Sequence, residues 1–279
     1  MDLTKKLYPI RFENFKVPGD EMITKKEWHK YYPAEEGKLT NWALRSLLFE
    51  KGGRKCLIDT GFGNMPSKEF LSGFFLNGDF SFEKQLTDIG LVAGDIDDVI
   101  LTHLHFDHCG GCLTRKGDTV VPTFPNATLW ISEQQWDAAH HPGDKEIDSF
   151  HPETIALLKD HYKINFVPEP GGYMPGVMFH MVHGHTSGQI IPIIRMKDRT
   201  FVFGADLFPS SAHLDPTVNM VYDVIPELSV CEKENFLNQI VDNHQYVIFQ
   251  HGLYIEACSL KRQKDSIVLD KTFKIQDLF

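Results

Sequence analysis

A chain of 279 residues has the material for one large core or two modest ones. Its formal net charge of −10 argues against a nucleic-acid or anionic-membrane surface, because phosphates are bound by clustered Lys and Arg. The opening MDLTKKLYPIRFENF has no apolar stretch of signal-peptide length, nowhere do about 18 apolar residues run together, and the cysteine count is odd at five. The expectation is a soluble cytoplasmic protein with no disulfide framework, no nucleic-acid partner and no membrane; the charge says nothing about a small-molecule substrate. The sequence does not set the oligomeric state, and a homodimer stays open.

RSLLFE and KCLIDT, residues 45–50 and 55–60, flank KGGR and predict a β-hairpin with a glycine-rich turn. In SFEKQLTDIGLVAGDID, Phe82, Leu86 and Ile89 recur at helical spacing and Gly90 marks the stop. The strand DVILT follows. SEQQWDAAHH opens on Ser132 as a helix cap with Glu133 in the first turn. HPETIALLKDHY places Pro152 in the first turn of a second amphipathic helix. Three β-rich runs come next: VMFHMV (177–182), IIPIIR (190–195) and TFVFGAD (200–206). A helix is predicted over SVCEKENFLNQIVDN (229–243), and the strand YVIFQ follows it. No linker, repeat or low-complexity tract interrupts this order. It suits a layered α/β arrangement with the sheets inside, read as one domain over residues 1–279.

The chemistry concentrates in VILTHLHFDHCGG, where His103, His105, Asp107 and His108 crowd the end of an apolar strand. Burying such groups is costly unless hydrogen bonds or a cation compensate them. Three further apolar runs deliver a metal-capable side chain where a strand should stop: His185 in GHTSG, Asp206 in FVFGAD and His251 after YVIFQ. Singly, each has an ordinary explanation as a solvated histidine or a turn-forming aspartate. Four such places in one chain point to shared ions. In an extended segment His103 and His105 point the same way and can pinch one cation, while Asp107 and His108 can turn toward another. Imidazole-rich donors with few carboxylates favour Zn²⁺, with Fe, Mn or Co open, over Mg²⁺ or Ca²⁺. Cys109 and Cys112 form a C-x-x-C that is read as packing, its two glycines allowing a tight backbone path beside the cluster, ahead of a redox or structural-zinc role. His183 is set outside the cluster, and His140, His141 and His151 are expected to be exposed.

The succession HLHFDH, GHTSG, GAD and a late QH resembles the metallo-β-lactamase superfamily of binuclear hydrolases. The resemblance implies a four-layer αββα sandwich of two mixed sheets with the site at their shared edge. It implies His103, His105 and His185 on one metal, Asp107, His108 and His251 on a second, and Asp206 bridging the two. LIDTG matches a further family motif and implies Asp59 behind a ligand histidine. Two divalent transition metals, zinc first, would activate a bridging hydroxide for attack on a carbonyl or phosphoryl centre, with Asp107 and Asp206 among the catalytic residues.

MITKKEWHKYYP and SSAHLDPTVNMVYDVIPELSVCEKENFL resemble the branch that holds quorum-quenching N-acyl-homoserine lactone lactonases and methyl-parathion-hydrolase-like enzymes. That implies a lactone or ester substrate, with organophosphate triesters, glyoxalase II-like thioester hydrolysis or persulfide dioxygenation as alternatives on the same fold. Residues 1–40 are expected near the substrate cleft. The best-known lactonases carry a tyrosine shortly after the bridging aspartate, whereas this chain reads DLFPSSAH. The protonation of a departing alkoxide then falls first to His213, or to Tyr222, or to no side chain. The branch also tends to have an acidic residue after the last histidine, where Gly252 stands here. Phe74, Phe75 and Trp28 are candidates for gripping an apolar substrate arm, weighed against a plain core role.

Overall fold

The computed structural model describes residues 7–12, 14–35, 38–76, 81–168, 171–174 and 176–278. An N-terminal arm carries β1 (Tyr8–Arg11), β2 (Phe15–Pro18), the one-turn α1 (Gly19–Met22) and β3 (Leu39–Trp42). The expected hairpin forms as β4 (Arg45–Lys51) and β5 (Arg54–Ile58). α2 (Lys68–Ser72) and α3 (Phe82–Thr87) follow; Ser81 caps α3 by accepting the Lys84 N–H. The chain then runs through β6 (Asp98–Ile100), α4 (Phe106–Cys109) and the small hairpin β7 (Leu113–Lys116) and β8 (Thr119–Pro122). β9 (Thr128–Ser132), α5 (Glu133–His140), α6 (Pro152–His161) and β10 (Lys163–Val167) complete the first half. As expected, Ser132 caps α5 and Pro152 opens α6.

The second half holds β11 (Gly171–Met174), β12 (Val177–Val182), β13 (Gln189–Met196), β14 (Arg199–Phe203), α7 (Pro226–Asp242), β15 (Tyr246–Ile248), β16 (Ala257–Gln263) and β17 (Ser266–Phe273). One sheet has the order β1-β4-β5-β6-β9-β10, and the other runs β11 to β17 in chain order. α7 begins a turn earlier than Ser229, because Pro226 supplies a preset φ at a position that needs no N–H donor.

Side-chain alternation stacks these sheets. Leu47, Phe49, Ile58 and Ile100 join a core with the second sheet, while the intervening Leu48, Leu57, Val99 and Leu101 pack with Phe82, Leu86, Ile155 and Leu158 of α3 and α6. On β12, Phe179 meets Trp130 of the first sheet at 6.1 Å between ring centroids, and the next residue, His180, meets Phe236 of α7 at 4.6 Å. The layers are therefore helix, sheet, sheet, helix: the αββα sandwich. Among the described residues, no helix is long and apolar enough to cross a membrane.

Strand direction sets where chemistry collects. β5, β6, β9 and β10 are parallel to one another. β14 and β15 are parallel, and β12 runs with them because two antiparallel pairings separate it from β14. The residues leaving the carboxyl ends of β5, β6, β12, β14 and β15 include Asp59, His103, His185, Asp206 and His251.

Candidate metal centre

The structure brings all seven candidate ligands together. Donor atoms of His103, His105 and His185 lie within 4.8 Å of one another, as do those of Asp107, His108 and His251, and a third such group joins His103, His108 and Asp206. Asp206 stands between the two triads. Its Oδ2 is 3.3 Å from His185 Nε2, 3.9 Å from His103 Nε2 and 3.6 Å from His108 Nε2, and its Oδ1 is 3.1 Å from His251 Nε2. Asp107 Oδ2 faces His108 Nε2 at 3.4 Å and His251 Nε2 at 3.7 Å.

The outer nitrogens show which inner ones are free to bind. Asp59 Oδ2 can only accept, so His108 Nδ1 at 2.9 Å carries the proton. The same holds for His185 Nδ1 on Asp223 Oδ1 at 2.9 Å and for His251 Nδ1 on the Ala43 carbonyl at 3.1 Å. Thr102 Oγ1 donates to Asp59 Oδ2, so at 3.0 Å it accepts from His103 Nδ1. Each of these four imidazoles thus turns an Nε2 lone pair inward. His105 is reversed: its Nδ1 lies 3.2 Å from His185 Nε2, and its Nε2 lies 3.8 Å from Glu146 Oε2. His103 Nε2, His108 Nε2 and Asp206 Oδ1 are buried without a hydrogen-bond partner. Inward lone pairs with no donor to meet them, framed by two carboxylates, are the donor set for divalent cations.

Local sequence explains the delivery of these groups. Asp59 leaves β5 at φ 55° and reaches behind the site, accepting from Thr102 N and Thr102 Oγ1, both at 2.8 Å, and from Gln250 Nε2 at 2.9 Å. α4 starts directly after His105 and turns Asp107 and His108 inward. The two glycines of CGGC act as expected. A Cβ on Gly110 would lie 2.0 Å from the Phe62 carbonyl oxygen, and one on Gly111 would lie 2.1 Å from that of Thr60. Cys109 and Cys112 are free, buried thiols, and burial pushes Cys112 up to about 12. A Cβ on Gly252 would meet the Ile255 carbonyl oxygen at 2.3 Å, which leaves no room there for an acidic side chain.

A cleft of about 610 Å³ opens over the cluster, with His105, Asp107, His185, Asp206 and His251 in its lining. Phe15, Phe62, Phe70, Phe74 and Phe106 give it an aromatic wall, and the N-terminal arm adds Val17, Pro18, Glu21 and Met22. Phe74 and Phe70 therefore reach the cleft. Phe75 and Trp28 are not among its lining residues: Phe75 is exposed, and Trp28 is buried in the core beneath Gly19.

His213 is a correction. It is fully buried and absent from the cleft lining. Its Nε2–H donates to the Met22 carbonyl at 2.8 Å, and its Nδ1 accepts from Ser210 Oγ at 3.0 Å. Burial, aided by Lys233, pushes it down to about 3. A neutral ring with both nitrogens engaged and no path to the cleft anchors the N-terminal arm and has no proton to give a substrate. Tyr222, the other candidate, does line the cleft, and its hydroxyl donates to Glu21 Oε2. His140 and His141 are exposed as expected, whereas half-buried His151 caps α6 by accepting the Thr154 N–H. His183 stays outside the cluster, its Nδ1 accepting from the Gly188 N–H at 3.1 Å. Asp223, Glu146 and Gln250 were not visible as site residues. Asp223 and Glu146 sit in loops with no local motif, and the one clue to Gln250 is its place before His251.

Such a donor cluster, at the edge of an αββα sandwich and under a cleft, defines a metal-dependent hydrolase. A family model described as the metallo-beta-lactamase superfamily matches residues 43–265, and the chain belongs to that superfamily. No curated protein matches the chain. Among solved structures, a probable metal-dependent hydrolase from Staphylococcus aureus is similar with a TM-score of 0.84 and 24% identity, over 96% of this chain and 98% of that one. AidC, a dizinc quorum-quenching lactonase in complex with a product, gives 0.75 and 18%, over 96% and 95%. Hydrolase AbOPH, in the beta lactamase superfamily, gives 0.76 and 21%, over 96% and 94%. At these identities the likeness is one of fold.

Proposed function

We propose that the chain is a binuclear hydrolase of lactones or esters bearing an apolar arm, N-acyl-homoserine lactones foremost. His103, His105 and His185 would hold one divalent cation, Asp107, His108 and His251 a second, and Asp206 both, with zinc the metal its donors suit best. Bound there, the pair supplies Lewis acidity, lowering the pKa of water toward neutrality and stabilising an oxyanion. The remaining work belongs to the chain. Asp59, Asp223 and the Ala43 carbonyl hold three imidazoles at fixed angles, so the donors need not reorganise during reaction. The aromatic wall excludes water from the apolar arm and orients it.

The observation that carries this reading is the seven-donor cluster at the floor of an aromatic cleft of about 610 Å³. The test is a substrate panel with metal-reconstituted protein: acyl-homoserine lactones of rising chain length, aryl phosphotriesters, thioesters and β-lactams. The expected outcome is a kcat/KM highest for the lactones and rising with chain length. Good turnover of phosphotriesters with none of any lactone would move the chain to triester hydrolysis and leave the metal centre standing.

A further inference from the structure

We propose that Glu21 and Tyr222 read a hydrogen-bond donor on the substrate, selecting an acylamido N–H beside the scissile carbonyl. This rests on the lactone or ester reading above. Both residues line the cleft, and two links join their segments: Tyr222 Oη–H donates to Glu21 Oε2, and the Val221 N–H donates to the Glu21 carbonyl at 2.7 Å. A phenol has a single proton. Once that proton is on Glu21, Tyr222 Oη and the Glu21 carboxylate offer the cleft acceptors alone. Burial and the adjacent Glu21 carboxylate push the Tyr222 phenol up, so it keeps that proton.

The other polar side chains of the cleft, outside the metal cluster, do not reverse this balance. Lys145 Nζ donates to the carbonyls of Asp223 and Val224, which engages two of its three N–H groups. Asp148 is an acceptor, and Ser149 can serve in either sense. The aromatic wall offers no donor. A plain aliphatic lactone would desolvate the acceptors of Glu21 and Tyr222 and return nothing to them. An acylamido substituent supplies the missing N–H. Sites built to bond an N–H or O–H discriminate strongly against analogues that lack it, because a polar group is left unpaired. Tyr222 is on this account a specificity residue, not the donor to a departing alkoxide.

The test compares two γ-lactones that differ only in an α-acylamido N–H against an α-acyloxy oxygen, on the metal-loaded enzyme. Wild type is expected to prefer the acylamido lactone by at least ~10-fold in kcat/KM. Glu21→Gln keeps the shape and the bond from Tyr222 but turns an NH₂ toward the cleft, so the preference should collapse to near one or reverse. Glu21→Ala, which removes the carboxylate acceptor and releases the Tyr222 O–H to turn toward the cleft, should also abolish it. A wild type without preference, or a preference kept in both variants, overturns the proposal. If wild type opens neither lactone, the lactone reading fails and the same ratio is read on the matching pair of aryl esters. Failure to turn over either pair overturns both readings.

Discussion

Asp59 stands at φ 55°, a conformation that costs a residue other than glycine about 1–3 kcal/mol, and it is fully buried. Four bonds hold its carboxylate there, from Thr102 N, Thr102 Oγ1, His108 Nδ1 and Gln250 Nε2. Replacing it by Asn puts a donor where at least one of these donors points. Asp59→Asn is therefore expected to weaken metal binding by ~10–100-fold, the usual range for groups behind a ligand, as measured by competition with a chromophoric chelator. Asp206 acts differently, because its two oxygens face both triads. Asp206→Asn keeps the shape and removes the shared negative charge. It should lower kcat/KM by at least ~100-fold, more than any single change away from the donors, with the metal content falling alongside. A near-wild-type rate at full metal content would place the bridge elsewhere.

The strand-end loops reach the site because neighbouring elements clamp them. Glu232 of α7 accepts the N–H groups of His183 at 2.7 Å and Gly184 at 2.9 Å, and the Val224 N–H donates to the His185 carbonyl at 3.0 Å, so the loop after β12 cannot drift. Arg45 of β4 does the same after β15. Its guanidinium donates to the carbonyls of Phe249, Gln250 and Gly252 around His251. The turn after α4 has the least room of all. Gly110→Ala sets a Cβ against the Phe62 carbonyl and should cost about 1–3 kcal/mol or more in denaturant unfolding. Since that turn follows directly on Asp107 and His108, the same variant should bind the second metal more weakly. Wild-type stability in Gly110→Ala would show that the backbone path there is loose.

For the whole molecule, His213 ties the N-terminal arm, through Met22, to the segment after Asp206, and it does so as a neutral ring. Its folded value is pushed from 6.5 down to about 3. Between these values the unfolded chain binds the proton and the folded chain does not. Stability is therefore intact above pH 6.5 and is lost as the pH falls toward 3, by about 1.4 kcal/mol per pH unit. Urea titrations of metal-free wild type and His213→Gln across this window should show the variant with the flatter dependence. Equal slopes would mean that the ring is not held neutral. Metal loading acts at the same scale. Two divalent ions per chain by elemental analysis, and a fall in Tm with loss of activity on chelation, are expected because ions bound only by the folded state stabilise it by mass action. One ion per chain, with Asp107 and His251 dispensable, would contradict the binuclear centre.

The side chains that cluster at the strand ends were legible in the sequence because their signal is local. An apolar β-run that ends on His or Asp declares both its strand and its chemistry, and H-x-H-x-D-H adds a spacing that few other arrangements explain. The starts of α5 at Ser132 and of α6 at Pro152 were equally readable, since a helix start is specified within one turn. The hairpin of β16 and β17 was not. Its strands carry Lys261, Arg262, Asp270 and Lys271, and the second half of each is largely exposed, so the period-two pattern is faint. Side-chain roles set by long-range contact were also out of reach. Along the chain His213 stood first and Tyr222 second as candidates for the same proton transfer. Packing against Met22 buries one, and the bond to Glu21, 201 residues away, commits the other. Sequence alone determined which side chains could bind metal and which strands would carry them. Which nitrogen of each imidazole turns inward, which aromatics wall the cleft and which polar groups face a substrate were decided only by the tertiary structure, because each depends on a partner that sequence distance hides.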